Sequence, residues 1–536
     1  MKYRYIQILG KLLLFMTISS ILTVGCSKDN LVGENPYAGG KEPLGVSFKS
    51  KYADPESAFP GDLVTFEVKG LKQYEGKFDF FINNTAVGIE ELTDSTVTIR
   101  IPEKISSGGA TIKIGEQVFF GPTLKIEGSV SIDATFDIIN GFNNTVLDIL
   151  SDGGGYIITG GFTDFEKSAT KANPINGLQF LNSNGKASTN MTFGKGVNPF
   201  GNVNSILKMR DGSFIIGGNF VSMNQREAMK IAKLNSKGQL DTMIVEVINS
   251  TEDKKNDVDT VSTFNGGIES GTILKTFVTA DNKIIAVGNF DRYSKVDYTY
   301  SSRKNYRYVY TPVRNVFRCD ANGKLDSTFV YNNKGANGIV TSAIQQNDGK
   351  IVLVGQFTSY NDKPAKNIVR LNLDGTVDES FNVGSGADNS IVEITYDSAK
   401  DKIVLSGVFK NFNGTVANNV VFLNTNGSVD QSFRMREVEG GGVVYAKILS
   451  YGKVLVNGSF KKYDGINRSN LLILNMDGSA DQRYNHIGSF NGVIYDAVET
   501  TSALGLPAVI LGGFIFSVDG KATGNIVKLE LNPNLN

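Results

Sequence analysis

Tryptophan is missing from all 536 residues, and histidine occurs once, as His486. Any Ser-His-Asp triad or histidine-ligated metal site would have to use that one side chain. It stands in the loop-like stretch "YNHIGSFNGV", so it is expected to be an exposed loop residue without a catalytic role. Net charge is also lacking, because 54 Lys and Arg balance 54 Asp and Glu. No global field therefore recruits nucleic acid. Proline is scarce at 12 while glycine reaches 59, a balance that suits many tight turns better than disorder. Beyond the N-terminus no unit holds a helix-length amphipathic run, which excludes a helical solenoid.

The first 26 residues are a targeting segment. Lys2, Arg4 and Lys11 precede an apolar stretch, Leu12 to Val24, too short to span a bilayer comfortably. Gly25 then stands before Cys26. This pattern resembles a bacterial lipoprotein signal, although the expected leucine sits four places before the cysteine, as Leu22, and not three. The resemblance implies removal of residues 1–25, acylation of Cys26, and anchoring of the body to a membrane. With Cys26 acylated, Cys319 has no disulfide partner. Residues 26–44 read as a flexible tether. Ser27-Lys28-Asp29 resembles the surface-export tag of Bacteroidota-type lipoproteins, which implies an outer-membrane protein facing the cell exterior.

Residues 45–127 alternate apolar and polar side chains in "DLVTFEVKG", "KFDFFINN", "STVTIRIP" and "GATIKIG", the pattern of a small antiparallel sandwich. With Pro60-Gly61-Asp62 before the second strand, the segment resembles the IPT/TIG immunoglobulin-like family, whose members serve mostly as spacers or interaction modules.

From residue 128 to 536 a repeat takes over. A Gly-x-Phe or Gly-Phe element ends a strand at Phe162, Phe220, Phe290, Phe357, Phe409, Phe460 and Phe514. Turns follow at Asn184-Gly185, Lys237-Gly238, Asn322-Gly323, Asp374-Gly375, Asn426-Gly427 and Asp477-Gly478, where Asx-Gly pairs predict type I′ hairpins. Seven units of about four short strands each predict a seven-bladed β-propeller, in an all-β chain. The last unit lacks room for its fourth strand, and "SIDATF", with Asp133, supplies the missing piece from before the first unit. An N-terminal strand is thus expected to close the ring. The pattern resembles the delta-60 family of bacterial propeller repeats, met best from Thr341 to Phe381, and the family implies a fold but no reaction.

Chemistry is harder to find. The aspartates of "DGTVD", Asp374 and Asp378, fit turn formation better than a calcium loop. No unit shows an unusual acid on its expected inner strand, so no catalytic residue, metal or cofactor is assigned. Two departures from the repeat stand out. "DRYSKVDYTYSSRKNYRYVYTPVRN" lengthens the link from Phe290 to Cys319, and the acidic "VEVINSTEDKKNDVDTVS" lengthens that from Asp241 to Phe290. Both should rise at one rim position on one face. Tyr298, Tyr300, Arg303, Tyr306, Arg307, Tyr308 and Tyr310 are the candidate ligand-binding residues, because tyrosine and arginine dominate binding hot spots. Removal of residues 294–311 is expected to leave thermal unfolding almost unchanged. The expected function is that of a non-enzymatic, monomeric, surface-anchored binding lipoprotein for a glycan or an envelope protein. A propeller hydrolase or lyase, or a purely structural scaffold, are the alternatives. Inward acids in the central funnel would favour the hydrolase or lyase, and the lack of tryptophan weighs against glycan.

Overall fold

The computed structural model describes residues 43–249, 255–329, 333–468 and 470–534. Cys26, the signal over 1–25 and nearly all of the 26–44 tether lie outside the described residues. Among those described, no helix is long and apolar enough to cross a membrane.

Two sheets form the N-terminal sandwich. One runs in the order Ser47–Phe48, Leu63–Lys69, Thr96–Arg100, Ile89–Leu92; the other runs Ser57–Ala58, Gln117–Ile126, Gly108–Ile114, Asp79–Ile82, Thr85–Val87. Strand alternation decides which side chains fill the space between them. In Leu63–Lys69, Val64, Phe66 and Val68 are buried while their neighbours face outward. Phe66 meets Phe80 at 5.2 Å and Phe48 at 6.2 Å between ring centroids.

Seven blades follow around one axis. Their inner strands are Val146–Asp152, Asn202–Lys208, Thr272–Val278, Ile339–Gln345, Ile391–Asp397, Val443–Leu449 and Phe490–Thr501. Each pairs with a middle strand and through it with an outer one, as Ile339–Gln345 does with Ile351–Gln356 and Ile368–Leu371. The middle strands are nearly solid apolar runs, since both of their faces are covered by neighbouring blades. The fourth strand is slighter than expected. In six blades it shrinks to one bridge, such as Leu371↔Val377 or Leu423↔Val429. In the seventh it is supplied from the N-terminal side. Val130–Ile132 pairs antiparallel with Ile526–Leu531, and Lys528 bonds Asp133 at 3.0 Å. This clasp closes the ring as the sequence predicts.

Three expectations need correction. The six Asx-Gly and Lys-Gly turns are not type I′, because only their glycines have positive φ, as at Gly375 (φ 85°). Each is a type I turn ending in a left-handed glycine. The two-residue type I′ turns lie on the opposite hairpins, at Asn224-Gln225, Asn361-Asp362, Asn413-Gly414, Asp464-Gly465 and Asp519-Gly520. Phe514 is not the seventh core phenylalanine. The amide of Asn525 bonds the carbonyl of Ile515, as that of Asn470 bonds Phe460, so Ile515 fills the core position and Phe514 faces out. His486, finally, is buried and not exposed. Its Nδ1 lies 2.7 Å from the carbonyl of Ile105, and its own carbonyl accepts from Ser107, so it joins sandwich to propeller. Burial lowers its pKa.

Candidate functional site

The two insertions do meet. The acidic one forms a hairpin of Thr242–Ile248 with Lys255–Ser262 between the second and third blades. The other is a lengthened form of the type I′ hairpin found in neighbouring blades. It pairs Arg292–Val296 with Tyr308–Pro312 around a short turn, Tyr298–Tyr300. They are joined by Ile248 N–H to Ser301 O at 2.8 Å, by Tyr306 Oη to Asp259 Oδ2 at 2.8 Å, and by an Arg303–Asp257 ion pair at 2.9 Å. Tyr298 packs edge-on against Tyr306 at 6.0 Å. Burial raises the pKa of both hydroxyls, that of Tyr306 to about 12 with help from Asp259, so each stays a donor at neutral pH.

This assembly sorts the candidate residues. Tyr298, Arg303 and Tyr306 line a cleft of about 260 Å³ together with Arg226, Glu227 and Ser262. Tyr308 and Tyr310 wall a second cleft of about 290 Å³ over Ala228, Lys230 and Ser294. Tyr308 donates to Glu227, and the guanidinium of Arg292 sits 4.4 Å from the Tyr310 ring centre. Tyr300 and Arg307 line neither cleft; they stack on each other at 4.8 Å. Part of the segment whose removal was expected to leave unfolding unchanged is packed into the fold. Ser294, Val296 and Ser301 are buried, and Asn265 holds both the N–H and the carbonyl of Val296 at 2.9 Å. The insert sheet also approaches the second blade closely. At Gly267, where φ is +146°, a Cβ would stand 2.1 Å from the carbonyl oxygen of Met229.

The central channel holds what sequence reasoning missed. Every inner strand bulges at the same place, and the residue after the bulge is Asp148, Ser205, Lys275, Ser342, Glu393, Tyr445 or Asp496. Three acids therefore do stand at this one position of the inner strands, against the expectation of no unusual acid there. The residues one place earlier, from Leu147 and Asn204 round to Tyr495, line a cavity of about 770 Å³. The ring residues clip blade to blade. Asp148 accepts from Ile149 N at 3.1 Å and from Ile206 N of the next blade at 2.9 Å. Asp496 accepts from Ala497 N at 2.8 Å and Ile149 N at 3.0 Å, and Glu393 accepts from Ile394 N at 2.8 Å and from Ser342. Burial, with the charge of Asp496, lifts Asp148 to about 6 against the pull of Lys275. Burial likewise raises Glu393. Burial alone would lower Lys275, but the three carboxylates outweigh it and hold the ammonium above the ordinary lysine value. Among the described residues Lys275 has no ion-pair partner within 4 Å, and no three His, Cys, Asp or Glu side chains group so as to hold a metal ion.

The signal for this ring was present in the sequence. "VLDIL", "VNSIL", "ILKTF", "VTSAI", "IVEIT", "VVYAK" and "IYDAV" align on a buried Val or Ile two places before the ring residue.

Comparison with known families agrees with this architecture. Residues 22–122 match the domain of unknown function DUF5008. Residues 210–242, 346–381, 401–433 and 452–483 match the DUF5122 β-propeller, also of unknown function. No curated protein matches. Among solved structures, the chain is similar to a structural genomics protein of unknown function from Bacteroides thetaiotaomicron, at 10% identity and TM-score 0.25, covering 92% of this chain and 99% of that one. It is also similar to YCF48 bound to D1 peptide, at 10% and 0.40 over 74% and 96%. A third is an auxiliary nutrient binding protein from Bacteroides ovatus, at 10% and 0.26 over 90% and 97%.

Proposed function

We propose that the protein is a non-enzymatic binding lipoprotein, anchored through Cys26 at the outer face of an outer membrane, with an IPT/TIG-like spacer and delta-60-like propeller repeats. The propeller presents its insertion-bearing face to a glycan or to an envelope protein. One observation carries this reading. The two longest departures from the repeat build one joined assembly with two clefts of aromatic and charged side chains. Elaboration at one rim position, on an otherwise regular scaffold, is how binding surfaces arise on repeat folds. Capture experiments with the full chain against polysaccharides and envelope proteins test it. A ligand retained unchanged, and lost on disruption of the insertions, is the expected result; no ligand of either class would leave only a scaffold.

A second reading has its own observation. Glu393 lines the channel beside Lys275 with its pKa raised by burial, and such a carboxyl suits proton transfer. A polysaccharide hydrolase or lyase would use that channel. The hydrogen bonds already made by all three ring carboxylates favour a structural role. Asp148 and Asp496 accept from main-chain N–H groups of their own and neighbouring blades, and Glu393 accepts from its own Ile394 N and from Ser342 Oγ of the neighbouring blade. Glu393→Gln separates the two, because it would abolish turnover in an enzyme and leave ligand capture intact in a binding protein.

A further inference from the structure

One position before the outer strand of every blade has a left-handed backbone. It is Gly177, Lys230, Asn315, Asn367, Asn419, Asn470 and Asn525 in turn, with φ between 62° and 79°. Asparagine and glycine are the residues that tolerate this conformation. The asparagine amides also bridge the fold, as Asn315 does to Gly288 O at 3.0 Å and from Ala336 N at 2.9 Å. Only the second blade places a long cationic side chain there. Lys230 is 6% exposed, and among the described residues it has no carboxylate within ion-pair distance. Its ammonium donates to Asn219 Oδ1 at 3.0 Å, which leaves two of its three N–H donors over. Burial lowers its pKa. A buried charge on strained backbone costs stability, and such outliers gather at functional sites.

The surroundings of Lys230 point to a ligand. It lines the 290 Å³ cleft, whose floor holds Ser294, 0% exposed with an unpartnered Oγ. Two tyrosine rings, Tyr308 and Tyr310, lie 6.4 Å apart at 23° along one side. Of the two acids there, Glu269 is paired with Arg292, so Glu227 and Lys230 remain as one charge of each sign. No net charge selects an ionised ligand. A lysine, a serine hydroxyl, a carboxylate and aromatic faces together suit hydroxyl groups, which both donate and accept. The volume lies at the small end of the roughly 300–1,000 Å³ of small-molecule sites, which fits one ring.

We infer that this cleft is a subsite for one neutral sugar residue, held by Lys230, Ser294 and Glu227 and packed against Tyr308 and Tyr310. The inference rests on the glycan arm of the proposed function. Its test uses the full chain in detergent, immobilised neutral oligosaccharides (glucan, mannan, galactan, xylan), polygalacturonate, and solubilised envelope proteins. Lys230→Asn installs the residue that five other blades carry, so the variant should unfold at or above the wild-type temperature. Its affinity for the retained neutral oligosaccharide should fall about tenfold, ~1.4 kcal/mol, and Tyr308→Ala should fall at least as far. Equal retention of that oligosaccharide by wild type and both variants would overturn the subsite while sparing the binding reading. Retention of polygalacturonate or envelope protein alone would do the same. Retention of nothing at all would overturn both.

Discussion

Asp378→Asn should destabilise the propeller by about 3 kcal/mol. The carboxylate accepts from Lys350 Nζ at 2.7 Å and Arg370 Nε at 2.8 Å through one oxygen, and from Ser380 N and Oγ at 2.9 and 2.6 Å through the other. Arg370 and Asp378 side chains are each only 7% exposed. Two charge-assisted bonds at roughly 1.5 kcal/mol each give ~3 kcal/mol, at the lower edge of the 3–5 kcal/mol for stranding one partner of a buried pair. An unfolding entropy of roughly 2.1 cal/mol/K per residue over about 400 propeller residues turns this into a loss of about 3–4 °C in Tm. Asp430 pairs with Lys402 alone, at 28% exposure of the lysine, so Asp430→Asn should cost about 1 kcal/mol. Asp137 and Lys186, 52% and 63% exposed, should contribute nothing measurable. Thermal unfolding of the three variants in parallel is the assay. Equal shifts, or no shift for Asp378→Asn, would refute the reasoning. The same experiment with a chelator tests the calcium alternative, since wild-type Tm should not move.

Acid stability follows from the same clips. Burial would raise Asp326 and Asp378, but their lysine, arginine and hydroxyl partners hold both well below the usual carboxylate range. Their stabilisation is complete above the unfolded value near 4 and should drain as pH falls below it, in a urea-midpoint series. His486 acts in a higher window. Its folded pKa is depressed, so the unfolded chain binds its proton more readily, and stability should already decline as pH drops below about 6.5; His486→Gln should remove that component of the pH profile. Val296→Asp should cost at least 3 kcal/mol, because the side chain is 4% exposed in the insert sheet; unchanged unfolding would mean the tyrosine hairpin is not docked as described. Asp148→Asn keeps an acceptor for one of its two amides and should cost about 1 kcal/mol, read by the same melts.

Much of this architecture was legible because repetition multiplies weak signals. Seven phrasings of one unit expose the period, and a repeat-like "SIDATF" standing before the first unit points to the clasp of Val130–Ile132. The meeting of the two insertions followed from which loops of a blade share a face. Other features were hidden for physical reasons. The bulge position carries Asp, Ser, Lys, Ser, Glu, Tyr and Asp, so composition conceals it, and only the buried Val or Ile before it keeps the register. Phe514 misled because a Gly-Phe step resembles the repeat, whereas alignment of Gly512-Gly513 with Gly217-Gly218 sets Ile515 against Phe220. His486 is polar and loop-borne, and what buries it is the sandwich, a contact 381 residues away in sequence. Lys230 could have been noticed as the exception among asparagines, but its conformation gives it meaning only once φ is known.

The most direct test of the binding account is incubation of the full chain with polysaccharides and envelope proteins, followed by analysis of both the retained material and the released products. The account predicts retention of an unaltered ligand by wild type and by Glu393→Gln alike. Release of shortened or unsaturated glycans by wild type, abolished by Glu393→Gln, would contradict it and make the channel an active site.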